Sequence, residues 1–432
     1  MNYRNIGLFS LVAVFLLFVG FTQSWNVAFG LLNFCLISAV MSLGVNIQWG
    51  YAGLFSIGTV GFVALGGVAA VVTSMPPVEE AWRTGGPGIL TALVTGLVTI
   101  VVGSQIWKRL PSGRVRNISM IVVLVGGFFL FRSFLDPAVA IIEKINPAGE
   151  GYLGGLGLPV IFSWVVGGLF AGGVAWVIGK ISLGLRSDYL AIATLGISEI
   201  IIAVIKNEDW LTRGVKNVIG IPRPTAYEVD LQKSEAFIAN ANWIGINVVE
   251  ASSLYVKISY GILFVIVLGI ILWLSEKSLH SPWGRMMRAI RDNEVAAEAM
   301  GKDVKKRHLQ VFIIGSAVCG IAGAMMTSLD GLMTPQSYQP LRFTFLIWVM
   351  VIVGGSGNNW GAVLGGFLMW FFWIEVEPMG HWLLSIITSG IPDGMPIKEH
   401  LLKSAAHMRL ITMGMILLLT LRFAPKGLIP EK

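Results

Sequence analysis

Long apolar runs, each separated from the next by a short polar stretch, follow one another along this chain of 432 residues. The runs lie at 6–22, 26–48, 52–73, 89–107, 117–135, 158–179, 188–205, 258–274, 309–329, 341–353, 361–376 and 408–422. About 20 apolar residues in a helix cross the hydrocarbon core of a bilayer. The pattern predicts an all-α, multi-pass transmembrane protein, a single domain over 1–432 with about 10–12 membrane segments surrounded by membrane lipid.

Charged residues are scarce and unevenly placed. They make up 13% of the chain, whereas a soluble domain carries about 25%. Residues 5–78 contain no Asp, Glu, Lys or Arg. Lys and Arg gather in the connections 108–116, 180–187 and 276–308 and near the end of the chain at 422–426. The net charge of +7 therefore reflects the positive-inside rule and not a nucleic-acid partner.

The same rule predicts the orientation of the chain. The basic connections and both termini are expected in the cytoplasm. The connections expected on the outer face are 74–88, 136–157, 206–257 and 377–407. Within the last of these, the apolar piece from Trp382 to Ile387 is predicted to be interfacial or re-entrant, because it is too short to span.

Residues 285–301, inside the basic connection 276–308, are predicted to form one amphipathic helix ended by Gly301. At 100° per residue its apolar arc contains Met286, Ala289, Ile290, Ala296, Ala297 and Met300. Its polar arc contains Arg285, Arg288, Arg291, Asp292, Glu294 and Glu298. The apolar arc has none of the Trp, Phe or Leu anchors of a helix lying on lipid. Docking into a groove of a soluble partner is therefore favoured.

Glycine interrupts two apolar runs, at 49–67 and 353–366. Glycines at helical spacing permit close packing of neighbouring helices. Alternatively, the helices are broken there, and their free backbone groups line a cavity or pack within protein, as breaks at the substrate path of many transporters do. Both interpretations remain open. The candidate path residues are Gly50, Gly53, Ser56, Gly58, Gly354, Gly355 and Gly357.

Glu199 is the acidic residue deepest in an apolar run. A carboxylate at membrane depth is costly, so it faces a water-filled path or makes a structural hydrogen bond to a neighbouring helix. Other chemistry is missing from the sequence: it contains no nucleotide-binding loop, no hydrolase elbow and no metal-ligand array of His or Cys. We therefore expect no catalytic residue, no metal and no cofactor.

Four motifs resemble the permease subunits of branched-chain amino-acid ABC importers, of the LivM type. They are W-G-Y-A-G-L-F-S-I-G at 49–58, Y-L-A-I-A-T-L-G-I-S-E-I at 189–200, W-G-R-M-M-R-A-I-R-D-N-E-V-A-A-E-A-M-G at 283–301 and V-G-G-S-G-N-N-W-G-A-V-L-G at 353–365. The resemblance covers most of the chain and departs from the family pattern at two points. Val295 stands where the general E-A-A-x-x-x-G signature has Glu, and Arg213 replaces a glycine outside.

The resemblance implies a subunit in the bacterial inner membrane that moves branched-chain or related amino acids inward. Its implied partners are ABC ATPase subunits, a second, LivH-like permease and a periplasmic solute-binding protein. The residues implied to contact the ATPase are Arg288, Arg291, Glu294, Ala296, Ala297, Glu298 and Gly301. Two alternatives stay open: an ion- or proton-coupled secondary transporter of a small solute, and an ABC permease for urea or short amides.

Overall fold

A computed structural model describes residues 3–147, 149–392 and 395–431, and this part of the chain is almost entirely helical. Its α-helices are α1 (Tyr3–Thr22), α2 (Trp25–Val45), α3 (Thr59–Ser74), α4 (Glu79–Thr84), α5 (Gly86–Arg109), α6 (Arg114–Ile142), α7 (Val160–Ser182), α8 (Ser187–Asn207), α9 (Asp209–Thr212), α10 (Glu228–Lys233), α11 (Glu235–Ile244), α12 (Val248–His280), α13 (Pro282–Asp292), α14 (Glu294–Ala299), α15 (Val304–Asp330), α16 (Pro340–Gly354), α17 (Asn359–Ile387), α18 (Pro396–Lys403) and α19 (Ala405–Phe423). The remaining positions of the predicted domain, 1–2, 148, 393–394 and 432, lie outside the described residues; two of them fall in the predicted connection 377–407.

Twelve of these helices correspond to the twelve apolar runs. Among the described residues, ten are long and apolar enough to cross a membrane: α1, α2, α5, α6, α7, α8, α12, α15, α17 and α19. The other two, α3 and α16, are shorter apolar helices. Helices satisfy every backbone polar group within one segment, as a bilayer requires. The all-α prediction and the expected 10–12 membrane segments are confirmed.

Short polar side chains set several helix starts. Ser24, Ser281 and Asp303 precede α2, α13 and α15, and each side-chain oxygen accepts a hydrogen bond from the backbone N–H three residues further on, at 3.2, 3.3 and 3.0 Å. These are N-caps, which satisfy donors that a helix start leaves free. At its other end α15 stops at Gly331, whose φ of 66° favours glycine.

Consecutive membrane helices alternate in direction, so the connections fall at two ends of the bundle. One, the basic end, contains 51–58, 110–113, 183–186, 281–303, 355–358 and the chain from 424. At the opposite end, β1 (Val218–Ile219) pairs antiparallel with β2 (Leu332–Met333) and joins two connections. The two groups reproduce the alternation that the positive-inside rule predicts, and the cytoplasmic location of the basic end stays a prediction.

Glycines let the central helices approach closely. A Cβ added to Gly66 of α3 or to Gly323 of α15 would lie under 3.0 Å from a backbone oxygen of the other helix. Gly365 of α17 meets the backbone of α16 in the same way. No side chain fits at such a contact. The packing interpretation of the glycine pattern is therefore correct for these helical positions.

Helices α5 and α6 form a hairpin that packs mainly on itself. Its buried cluster is small and consists of Ala81, Ile89, Ala92, Leu135, Ala138, Ile142 and Leu153. Large apolar side chains cover the rest of its surface, among them Leu97, Ile100, Ile121 and Phe129. Such a surface suits contact with lipid tails.

Two predicted connections are partly helical in the structure. The piece Trp382–Ile387 is no separate interfacial element but the continuation of α17, which runs through Pro378. A proline removes one backbone donor, and membrane helices tolerate it where neighbours compensate. The connection predicted at 206–257 is shorter, because α12 begins at Val248 and carries several polar residues in its first turns.

Candidate functional site

The first glycine-rich interruption is a break between two helices. Beyond α2 the chain makes a π-helical turn, Asn46–Gly50, and then runs irregularly to α3. Gly53 has a φ of 68°, a conformation that glycine adopts without strain. Ser56 is buried, and its carbonyl accepts a hydrogen bond from Trp348 Nε1 at 3.0 Å. A Cβ on Gly58 would meet the backbone of α8. The helix is therefore broken in this segment, and a solute path along it stays a prediction.

The second interruption, between α16 and α17, is also a break. Gly355 and Gly357 have φ values of 117° and 81°, which close the turn. Asn358 then caps α17, because its Oδ1 accepts hydrogen bonds from two backbone N–H groups of the first turn, at 3.0 and 3.3 Å. Gly354 ends α16 against the backbone of Gly361, under 3.0 Å from where its Cβ would lie.

A buried polar network joins the two breaks. Asn46 Nδ2 donates to Asn359 Oδ1 at 3.1 Å, and the Gly357 N–H donates to Asn46 Oδ1 at 2.8 Å. The Tyr51 hydroxyl also donates to Asn359 Oδ1. Asn359 Nδ2 in turn donates to Glu276 Oε1, on α12, at 3.1 Å. A fully bonded buried network holds its members in one arrangement.

The segment predicted as one helix over 285–301 is two helices, α13 and α14, and that prediction is wrong. The chain turns at Asn293, which has φ −157° and ψ 97° and caps α14 by accepting from a backbone N–H at 3.0 Å. In α13 the buried side chains are those of Met287 and Ile290, so Ala289, predicted on the apolar arc, is exposed. In α14, beyond the joint, Ala297 is buried as predicted, whereas Ala296 and Met300 are exposed.

Arg291 connects this segment to the first break. Its Nη1 donates to the Gly50 carbonyl and lies 2.8 Å from Glu431 Oε2. Gly53 leaves room for it, since a Cβ there would lie 3.2 Å from Arg291 Cγ. Burial alone lowers the pKa of Arg291, but the ion pair with Glu431 and a weaker one with Asp292 outweigh burial and raise the pKa above its ordinary value.

The end of the chain ties the same segment to the second break. The N–H groups of Leu428 and Ile429 donate to the last two carbonyls of α16, each at 2.8 Å. This places the carboxylate of Glu431 between the two helices, 3.9 Å from Arg288 Nη1 as well as against Arg291. The terminal segment, residues 424–431, thus bridges α16 and α13.

The outer surface of α14 is free of contacts within the described residues. Val295 and Met300 are 77% and 79% exposed. Glu294 and Glu298, one turn apart, are exposed beside them. Gly301 has a φ of 76°, as expected for the glycine that ends a helix, and open space surrounds it. An exposed apolar pair flanked by acids is a surface that a protein partner can bind.

Glu199 lies elsewhere, at a cavity of about 940 Å³ between α8, α16, α17 and α19. Its side chain is exposed, and no hydrogen bond from the described residues reaches its carboxylate. The structural-hydrogen-bond interpretation therefore finds no support among the described residues. The other ionisable residues around the cavity are Lys206, Arg342, Glu377, His407 and Arg409.

The structure thus sorts the predicted residues into two places. At the basic end, Gly50, Gly53 and Gly357 lie against the predicted coupling residue Arg291. Gly354 and Gly355 lie against the terminal segment that contains Glu431, the partner of Arg288 and Arg291. Gly58 adjoins α8, and Ser56 adjoins Trp348 of α16. The sequence analysis missed Asn46, Tyr51, Glu276, Asn359 and Glu431. The amides carried a signal, since polar side chains inside apolar runs have partners.

The chain matches the family model described as "Branched-chain amino acid transport system / permease component" over residues 27–421. It is 28% identical over 207 residues to "High-affinity branched-chain amino acid transport system permease protein LivM" of Escherichia coli, covering 47% of this chain and 48% of that protein, so this match spans about half of either. It is 25% identical over 398 residues to "Probable branched-chain amino acid transport permease protein LivM" of Methanocaldococcus jannaschii, covering 91% and 90%.

A sugar permease is a further relative. "Xylose transport system permease protein XylH" of Escherichia coli is 23% identical over 359 residues, covering 78% of this chain and 71% of that protein. No solved structure matches the chain. The family model covers nearly the whole sequence, as the four motifs predicted. The chain therefore belongs to the family of permease components of branched-chain amino acid transport systems.

Proposed function

We propose that the chain is the transmembrane subunit of an ATP-driven ABC importer for branched-chain amino acids, and that the ATPase binds α13 and α14 at the basic end. One observation carries the proposal: Arg291 links this surface segment to both helix breaks, through the Gly50 carbonyl and through Glu431. A displacement of α13 and α14 is therefore transmitted to α2, α3 and α16 together.

The exposed face of α14 is the contact surface in this proposal. Val295 and Met300 supply apolar area, and Glu294 and Glu298 supply charge that selects a basic partner. The joint at Asn293 lets α14 follow the partner while Arg291, on α13, holds the breaks. The breaks can respond because no helical hydrogen-bond ladder crosses 51–58 or 355–358.

The remaining partners follow from the family resemblance and the two ends of the bundle. A second, LivH-like permease covers the side with Glu199, whose exposed carboxylate is unsuited to lipid. A periplasmic solute-binding protein docks at the opposite end, where β1 and β2 join the connections. The subunit lies in the bacterial inner membrane with both termini in the cytoplasm. It carries out no covalent chemistry itself.

The experiment measures uptake of labelled L-leucine by cells that contain the whole transporter. ATP is depleted while an artificial proton gradient is maintained. We expect uptake to stop. Uptake that continues on the gradient alone would refute the ATP-driven importer and favour the secondary-transport alternative.

A second candidate function is sugar import, which the match to the xylose permease favours. Competition separates the substrates in the same assay. We expect unlabelled L-isoleucine and L-valine to suppress leucine uptake, and D-xylose and urea to leave it unchanged. Suppression by D-xylose or urea would move the assignment to the sugar or amide class.

A further inference from the structure

The cavity beside Glu199 contains charges that this chain does not neutralise. Among the described residues, Glu199, Lys206 and Arg342 have no oppositely charged group within ion-pair distance, whereas Arg409 pairs with Glu377. Glu199 lies twelve residues into α8, about 18 Å along the helix axis. A carboxylate at that depth requires water or a counter-charge.

One wall of the cavity is cationic and aromatic. The guanidinium groups of Arg342 and Arg409 lie over the ring of Trp373, at 4.9 and 5.1 Å from its centroid. The same wall contains the start of α16, at Pro340, where no side chain accepts a hydrogen bond from the first turn. Arginine guanidinium groups and the free backbone N–H groups at a helix start can both donate hydrogen bonds to a carboxylate.

Much of the remaining lining is apolar. Beside the charged groups lie Phe345, Leu346, Val349, Leu410 and Met413. Side chains of this kind accept a branched aliphatic group without hydrogen bonds. The volume of about 940 Å³ is within the range of small-molecule sites.

We propose that this cavity is a transit site for a zwitterionic amino acid with an apolar side chain. Arg342 binds the carboxylate, Glu199 binds the ammonium group, and Phe345 with Val349 contacts the aliphatic side chain. The assignment rests on the proposed function. It accounts for the unpaired acid, Glu199, and for one of the two unpaired bases, Arg342, since the two ends of the solute neutralise these two groups.

The test uses a cysteine reporter in the full chain, in membranes. The natural thiols, Cys35 and Cys319, are fully buried, so a water-soluble thiol reagent leaves them unlabelled while the protein stays folded. Leu410→Cys places a thiol in the cavity, and His400→Cys places one on exposed α18 as the matched control. We expect L-leucine to slow labelling of the first thiol and not of the second.

Leucine analogues that lack one of its two charges show which side chain binds which end of the solute. 4-Methylpentanoate is leucine without its ammonium group, and 3-methylbutylamine is leucine without its carboxylate. In Glu199→Gln we expect the half-protecting concentration to rise about tenfold for L-leucine and to stay unchanged for 4-methylpentanoate. In Arg342→Gln we expect the same rise for L-leucine and no change for 3-methylbutylamine. Unlabelled Cys35 and Cys319 confirm that each variant is folded.

Two outcomes overturn the assignment: failure of L-leucine to protect the Leu410→Cys thiol, and equal protection by D-xylose. If L-leucine does not protect the thiol but ATP-dependent leucine uptake is normal, the transit site is refuted and the importer proposal stands. Conversely, if protection depends on the charges of the ligand but uptake does not depend on ATP, the transit site is supported and the ATP-driven importer is refuted. The two proposals therefore fail separately.

Discussion

The ion pair between Arg291 and Glu431 provides the most direct test of the link between the surface segment and the helix breaks. Its two atoms are 2.8 Å apart, and the side chains are 24% and 26% exposed. A charged hydrogen bond contributes about 1.5–3 kcal/mol, and partial exposure reduces that value. We expect a coupling energy of about 1–2 kcal/mol between the two side chains.

A double-mutant cycle measures it. The free energy of unfolding is determined in detergent micelles for the parent chain, Arg291→Gln, Glu431→Gln and the double variant. Arg291→Gln should destabilise more than Glu431→Gln, because it also removes the hydrogen bond to the Gly50 carbonyl. Arg285→Gln is the matched control: it removes the same charge from α13 but only one exposed hydrogen bond to a backbone carbonyl.

Leucine uptake completes the comparison. We expect Arg291→Gln to lower uptake several-fold more than Arg285→Gln at equal amounts of folded protein in the membrane. A coupling energy near zero would mean that the ion pair does not hold the terminal segment against α13. Equal uptake by the two variants would refute the role of Arg291 as the link to the breaks.

Three further predictions concern the same end of the bundle. Gly354→Ala places a Cβ against the backbone of α17 and should destabilise by about 1–3 kcal/mol, whereas Gly414→Ala, in open space on α19, should be neutral or slightly stabilising in the same unfolding assay. Asn359→Leu leaves buried polar partners unsatisfied and should destabilise by at least about 2 kcal/mol, and unchanged stability would contradict the network. Glu298→Lys should lower uptake without changing stability, while Glu80→Lys on α4 should change neither; equal uptake by both variants removes the docking surface.

The positions of the membrane helices could be predicted because run length alone decides whether a segment spans. The joint at Asn293 could not, since a constant 100° rotation assumes one helix, and an asparagine can either continue a helix or cap the next. The buried polar network between the two breaks could not be predicted for another reason. Asn46 and Asn359 are 313 positions apart in the sequence, and only the packing of the helices brings them together.

Helix α16 connects the two sites that the sequence left unrelated. This helix of fifteen residues, about 22 Å long, begins at the cavity with Pro340 and ends at the second break with Gly354. At the Gly354 end it is held by the terminal segment, whose Glu431 binds Arg291, and by backbone contact with Gly361. A rigid rod fixed in this way converts a small displacement of α13 into a tilt at the cavity. The break at 355–358 permits that tilt, because no helical hydrogen bonds cross it.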